Sequence, residues 1–408
     1  MQLNDLFSEI ESFEEEMTRT LMELVQVPAI APENNGEGES LKAEKLLQIL
    51  ENVGFDKIER YDAEDQRVPS KKRPSIVAYY YGENLGERLW IVTHLDVVPP
   101  GVNSLWTVTK PFEPLVKDGK IYGRGSEDNG QSMVASIFAV KALKILGIKP
   151  KRTIALAFVA DEEHGNNYGI QHLIKQGIFK QKDLIIVPDE GSKKGDFIEI
   201  AEKSMLWFRI RTAGKQTHGS RPDKGLNAHR IGMEYALALD RFLHDKYSMK
   251  DAYFDLPEST FEPTKREKNV EAVNIIPGED LTYFDCRILP NYDLEEIWND
   301  IQRLAKEFEK KYDTKIRIEL LHKIVAPKPT DVNSKIVVLL KDAIRNVRKI
   351  EPRVGGVGLG TCAAFFRRVG MPAVVWCTVD GIAHQPDEYA MIRNMVEDAK
   401  VFAFLAVR

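Results

Sequence analysis

Hydrophobic and polar residues alternate along this chain in two rhythms, and the place where the rhythm changes divides it. Residues 5–27 carry apolar positions at helical spacing and predict a charged amphipathic helix, ended by Pro28 and Pro32. A second amphipathic helix is predicted over residues 40–52, with Ser40 as its N-cap. Short β-branched and aromatic runs at 76–81 and 89–93 read as strands, and residues 99–118 read as irregular and proline-marked. A helix over 130–146 follows, stopped by Gly147 and Pro150. Residues 153–160 and 184–187 are apolar on both faces, with a helix at 170–176 between them. Such runs alternating with helices predict a parallel sheet covered on both sides.

Beyond about Lys203 the pattern becomes that of half-exposed antiparallel strands. Strands are predicted at 205–212, 281–289 and 315–321, helices at 226–244 and 294–311, and a polar, proline-broken stretch at 248–268. Pro327 and Pro329 mark a second boundary. After it the βα style returns: helices at 334–347, 361–369 and 391–405 and a strand at 373–378. The expected fold is therefore α/β: a catalytic domain with a central, mostly parallel sheet flanked by helices, made of residues 1–203 and 326–408. An α+β open-faced sandwich, residues 204–325, interrupts it.

Composition narrows the function. The chain has 408 residues, 29% of them charged, and a formal charge of -5. Lys/Arg runs are brief, which argues against nucleic acid as partner. No apolar run approaches bilayer length, and the N-terminus lacks an apolar signal segment. Cys286, Cys362 and Cys377 are scattered and odd in number, as for buried thiols in a reducing compartment, so a cytoplasmic location is expected.

The chemistry collects at strand ends. The run 89–93 leads into His94-Leu-Asp96, 153–160 into Asp161-Glu162-Glu163, 184–187 into Asp189-Glu190, and 373–378 towards His384. Ligands of parallel α/β sheets bind beyond the carboxyl ends of the strands. Asp128 lies on a glycine-flanked turn at a predicted helix start. Alone it would be read as a helix cap, and each acid or histidine alone as a turn residue. Together they make a donor set for two divalent cations, because adjacent acids repel unless cations neutralise them.

These residues resemble the dinuclear zinc hydrolases that include acetylornithine deacetylase, succinyl-diaminopimelate desuccinylase, aminoacylase, carnosine dipeptidase and glutamate carboxypeptidase. The resemblance rests on His94-Leu-Asp96, on Gly123-Arg-Gly-Ser-Glu-Asp128-Asn-Gly130 and on Asp161-Glu162-Glu163, with Asp189 and His384 in the remaining ligand positions. It implies a hydrolase of N-acyl amino acids or short peptides that uses a metal-activated water. Asp128 would bridge two cations (Zn²⁺, or Co²⁺ or Mn²⁺), with His94 and Asp189 completing one site and Glu163 and His384 the other. Glu162 would be the general base and Asp96 a carboxylate orienting His94.

In the inserted domain, His218 matches a lid histidine that donates to the oxyanion, and Asn274 matches a substrate-binding position. Arg287 suits either a substrate carboxylate or a strand-end salt bridge. The run Gly355–Gly360 with Thr361 lacks the spacing of a dinucleotide fingerprint. It reads as a loop whose amides, at Gly358, Gly360 and Thr361, receive a substrate carboxylate. Cys362 then stands where the family usually has an acid. The resemblance further implies a homodimer formed through the inserted domain, the lid and dimerisation domain of the family. The rival from another class is a metal-dependent binding protein on the same fold. His164, His172, His229, His244 and His322 read as solvated or core histidines.

Overall fold

A computed structural model describes residues 3–358 and 360–408; Met1, Gln2 and Leu359 lie outside them. The chain divides into two compact units, one of Met1–Ile200, Pro329–Val354 and Thr361–Arg408, the other of Ala201–Lys328 and Gly355–Gly360.

The first unit is built on a sheet of eight strands. In spatial order these are Lys57–Glu64, Lys72–Tyr80, Arg152–Val159, Asn84–His94, Leu184–Val187, Ala373–Val375, Phe197–Glu202 and Arg353–Val357. The middle four, from Arg152–Val159 to Ala373–Val375, run parallel. The first two pair antiparallel, and Phe197–Glu202 meets Ala373–Val375 antiparallel. Alternate residues of the parallel strands (Trp90, Ala155, Ile185, Ala373) pack with Ile170, Leu173 and Phe366 of two short helices. The opposite set (Ile91, Leu156, Ile186, Val374) is buried as well, so both faces are covered. Helix Gln131–Ile145 is buried nearly all round and packs against the C-terminal helix Ile392–Val407.

The expected N-terminal helix is two, Leu3–Ser12 and Glu14–Val25, interrupted at Phe13. The stretch expected to be irregular contains the strand Leu115–Lys117, which pairs with Lys120–Tyr122, itself paired with Tyr389–Met391.

The second unit is a four-stranded antiparallel sheet in the order Thr260–Arg266, Glu279–Ile288, Ser204–Ala213, Ile316–Ile324. Helices Ala228–Lys246 and Leu294–Tyr312 pack against it. Phe208 and Phe284 stack at 5.1 Å in its core. Strand Thr260–Arg266 falls inside the stretch expected to be proline-broken and irregular. It is an edge strand, and the register shifts just after Pro263, where a missing N–H is tolerated. Part of the glycine-rich run is also strand rather than loop, Arg353–Val357. A Cβ at Gly356 would collide with the Phe254 ring, so packing alone accounts for that glycine.

Phe284→Ala opens a hole against Phe208 and is expected to destabilise the second unit by about 3–5 kcal/mol. Denaturant unfolding of the variant beside the parent chain measures it.

Candidate metal centre

Four adjacent parallel strands set the site. His94 is the last residue of its strand, Glu162 and Glu163 form the turn after Arg152–Val159, and Asp189 follows Leu184–Val187 by two residues. His384 lies in the segment after Ala373–Val375, with its backbone in the left-handed region at φ 65°. Asp128 comes from the segment Ser126–Gly130 that precedes helix Gln131–Ile145. Gly125 opens that segment at φ 82°, and a Cβ there would also strike Val97, so only glycine suits the approach.

The two carboxylate oxygens of Asp128 face different imidazoles. Oδ1 lies 2.8 Å from Nε2 of His94, and Oδ2 lies 3.0 Å from Nε2 of His384. A second carboxylate accompanies each: Asp189 Oδ1 is 3.2 Å from His94 Nε2, and Glu163 Oε2 is 3.2 Å from His384 Nε2. Donor atoms of His94, Asp128 and Glu163 fall within 4.8 Å of one another, as do those of His94, Glu162 and Asp189. Glu162 therefore stands within ligand distance of His94 and Asp189, while Glu163 stands with His94 and Asp128.

His94, Asp189 and the Glu162–Glu163 turn are held from behind. His94 Nδ1 donates to the main-chain oxygen of Asp96 at 3.0 Å, leaving Nε2 free to act as a ligand. The Asp96 carboxylate is farther from that nitrogen, at 3.5 Å. Its two oxygens accept the backbone N–H groups of Glu162 and Glu163, both at 3.0 Å, so Asp96 also fixes the Glu162–Glu163 turn. Asn129 donates to Asp189 Oδ1 at 2.9 Å and to the Pro188 oxygen at 2.8 Å. Asn166 donates to Glu162 Oε1 at 3.3 Å and accepts from the Cys362 thiol at 3.1 Å. The roles of Asn129 and Asn166 escaped the sequence reading. Asn129 was visible only as a motif neighbour of Asp128, and nothing near Asn166 in sequence marks it.

The charges are unbalanced. Asp96, Asp128, Glu162, Glu163 and Asp189 crowd around two imidazoles. Burial and then the charge of Asp189 push Glu162 well above the ordinary carboxylate range. Burial and the charge of Asp128 raise Glu163 to about 7. Burial opposes a charged His94, but Asp189 and Asp128 outweigh it and hold the imidazolium well above its usual pKa. Hydrogen bonds that His384 donates to Asp128 and then Glu163 raise it to about 10. Asp128 is held far below the usual range: burial disfavours its charge, but His94 and His384 prevail. A surplus of hard oxygen donors with two borderline nitrogens is the environment that divalent cations neutralise, so the donor set fits them.

The remaining expected residues lie in the second unit, Thr361 excepted. His218 is exposed on the two-residue strand Thr217–His218, which pairs with Ile275–Ile276. Gly219 N–H donates to the Asn274 oxygen at 2.7 Å, so His218 and Asn274 are neighbours. Arg287 forms the salt bridge that was the alternative reading, with Nε 2.7 Å from Asp285 Oδ1 and Nη2 3.0 Å from Oδ2. Its Nη1 donates to the Gly358 oxygen at 3.2 Å. Gly360 is exposed, and the buried Thr361 precedes helix Ala363–Arg368, which has only six residues.

Residues 90–408 match the model of peptidase family M20/M25/M40. An uncharacterized metallohydrolase of Methanocaldococcus jannaschii is 41% identical over 404 residues, covering 95% of this chain and 98% of that one. A succinyl-diaminopimelate desuccinylase of Nitratiruptor is 29% identical over 313 residues, 76% of this chain and 80% of its own. A solved dipeptidase of Saccharomyces cerevisiae has the same fold, with TM-score 0.76 at 20% identity over 100% of this chain and 98% of that one. Among the described residues no helix is long and apolar enough to cross a membrane. With strand ends, donors and sequence in agreement, the chain belongs to peptidase family M20/M25/M40, metallohydrolases that act on amide or peptide bonds.

Proposed function

We propose that this protein hydrolyses the amide bond of an N-acyl amino acid or a short peptide, with two divalent cations as cofactors and Glu162 as general base. The observation that carries the reading is the division of Asp128, whose oxygens face His94 and His384 separately, each imidazole beside a further carboxylate. His94, Asp128 and Asp189 would hold one cation, and Asp128, Glu163 and His384 the other. Zinc suits this mixture of imidazole and carboxylate, as do cobalt and manganese. When bound, such ions acidify a water and polarise the scissile carbonyl.

Glu162 takes the proton from the attacking water and returns it to the departing amine. Asp96 keeps His94 and the Glu162–Glu163 turn in register. His218, with Asn274 beside it, donates to the oxyanion, and Arg287, Gly358, Gly360 and Thr361 receive a substrate carboxylate. Arg287 offers for this the second N–H of Nη1, since Asp285 takes Nε and Nη2 and the Gly358 oxygen takes the first. Homodimerisation through the inserted unit and a cytoplasmic site of action complete the reading. The desuccinylase relatives favour an N-acyl amino acid over a dipeptide.

Glu162→Gln is expected to lower kcat by about 10²–10⁴ while two equivalents of metal remain by elemental analysis. Unchanged turnover sinks the base assignment, and loss of a cation would make Glu162 a ligand instead. Chelation should silence the enzyme and Zn²⁺ should restore it. A panel of N-succinyl and N-acetyl amino acids against dipeptides identifies the substrate class. No hydrolysis by the metal-loaded protein across that panel would favour the binding-protein alternative.

A cation takes the lone pair of an imidazole, and the carboxylates beside His94 and His384 raise the proton affinity of both. Binding therefore releases protons, and affinity rises with pH until those groups titrate on their own. Titration calorimetry of Zn²⁺ binding in buffers of different ionisation enthalpy should report net proton release.

A further inference from the structure

Two buried acids outside the donor set tie its least supported member to its most central one. Glu127 precedes Asp128, and its carboxylate receives four consecutive backbone N–H groups of the segment leading to His384. Oε1 accepts from Asp380 at 2.6 Å and Gly381 at 3.3 Å; Oε2 accepts from Ile382 at 2.7 Å and Ala383 at 2.9 Å. Glu388, four residues after His384, reaches the other way. It accepts from the backbone of Gly125, Glu127 and Asp128 at 3.0–3.1 Å and from Arg124 Nη1 at 2.5 Å. Both acids are buried, Glu388 completely. A buried carboxylate persists only when its acceptors are filled, so these two define the path of the backbone around them.

The two halves of the cluster are supported unequally. His94 and Asp189 stand at the ends of packed parallel strands, and the sheet positions them. His384 is exposed, sits on irregular backbone and has φ 65°, a conformation that persists only where its surroundings impose it. The surroundings that impose it are the amides captured by Glu127 on one side and the anchor of Glu388 on the other.

We propose that Glu127 and Glu388 are positioning residues that form a reciprocal clamp between the Asp128 turn and the His384 segment, and that the clamp builds the His384 half of the metal centre. The inference rests on the two-cation reading. Glu127 acts on the cation site of Glu163 and His384 alone, whereas Glu388 acts on both sites because it holds the shared Asp128.

The test is titration of Zn²⁺ into the chelator-treated full chain by calorimetry. The parent should bind two equivalents; fewer would overturn the two-cation reading itself, independently of the clamp. Glu127→Gln places an amide N–H₂ against the backbone donors and should weaken one of the two sites about 10–100-fold while the other stays within about threefold. Glu388→Gln should weaken both. A general loss of structure would also weaken binding, so the decisive measurement is a double-mutant cycle. In a His384→Ala background Glu127→Gln should have no further effect on Zn²⁺ affinity, whereas in an Asp189→Asn background it should keep its full effect. Parent-like affinity at both sites in Glu127→Gln, or additivity with His384→Ala, overturns the clamp. Should Glu127→Gln not fold, Glu127→Asp keeps the charge but shortens the reach. It should weaken the same site, and unchanged binding there counts against the clamp equally.

Discussion

One carboxylate shared between two imidazoles is the constraint from which the rest follows. Asp128 serves both sides because its turn enters from outside the sheet, while His94 comes from a strand end and His384 from the segment that follows another strand. The fold meets that demand. Parallel strands deliver His94, the Glu162–Glu163 turn and Asp189 along one edge, and the segment Ser126–Gly130 lays Asp128 across their ends. Parallel strands point their carboxyl ends the same way, and no antiparallel order would gather these residues on one edge.

Gathering five carboxylates around two imidazoles is electrostatically unfavourable without compensation, and the protein supplies some of it locally. Asp96 gives its oxygens to two backbone amides, Asn129 donates to Asp189, and Glu127 and Glu388 are met by amides and by Arg124. Glu162 and Glu163 are left with raised proton affinity, because burial and neighbouring charge exceed what the hydrogen bonds offset. That residue of uncompensated negative charge is what cations relieve, so structure and metal dependence share one cause.

Around the expected substrate contacts, tertiary neighbours add what the local sequence does not carry. The glycine-rich run looked like an anion cradle. Gly356 turns out to make room for Phe254, and part of the run is strand. Arg287 suits either a substrate carboxylate or a salt bridge, and Asp285 two residues earlier occupies one edge of its guanidinium. Phe254 is a neighbour that only the tertiary structure brings to Gly356, whereas Asp285 is already close to Arg287 along the chain.

The sequence by itself determined the α/β class, the antiparallel middle segment and the identity of the six residues that converge, His94, Asp128, Glu162, Glu163, Asp189 and His384. Those features are local: apolar runs of strand length, a change of period, and acids or histidines just past strand ends. The tertiary structure alone decided which oxygen of Asp128 faces which imidazole, that Asp96 fastens a turn 66 residues away, and that Glu127 and Glu388 each capture backbone amides of the other's segment, the Glu127 amide meeting Glu388 across 261 residues. Hydrogen bonds between a side chain and a distant main chain leave no periodic trace, since a backbone N–H is the same at every residue and only the fold selects which ones an acid will meet.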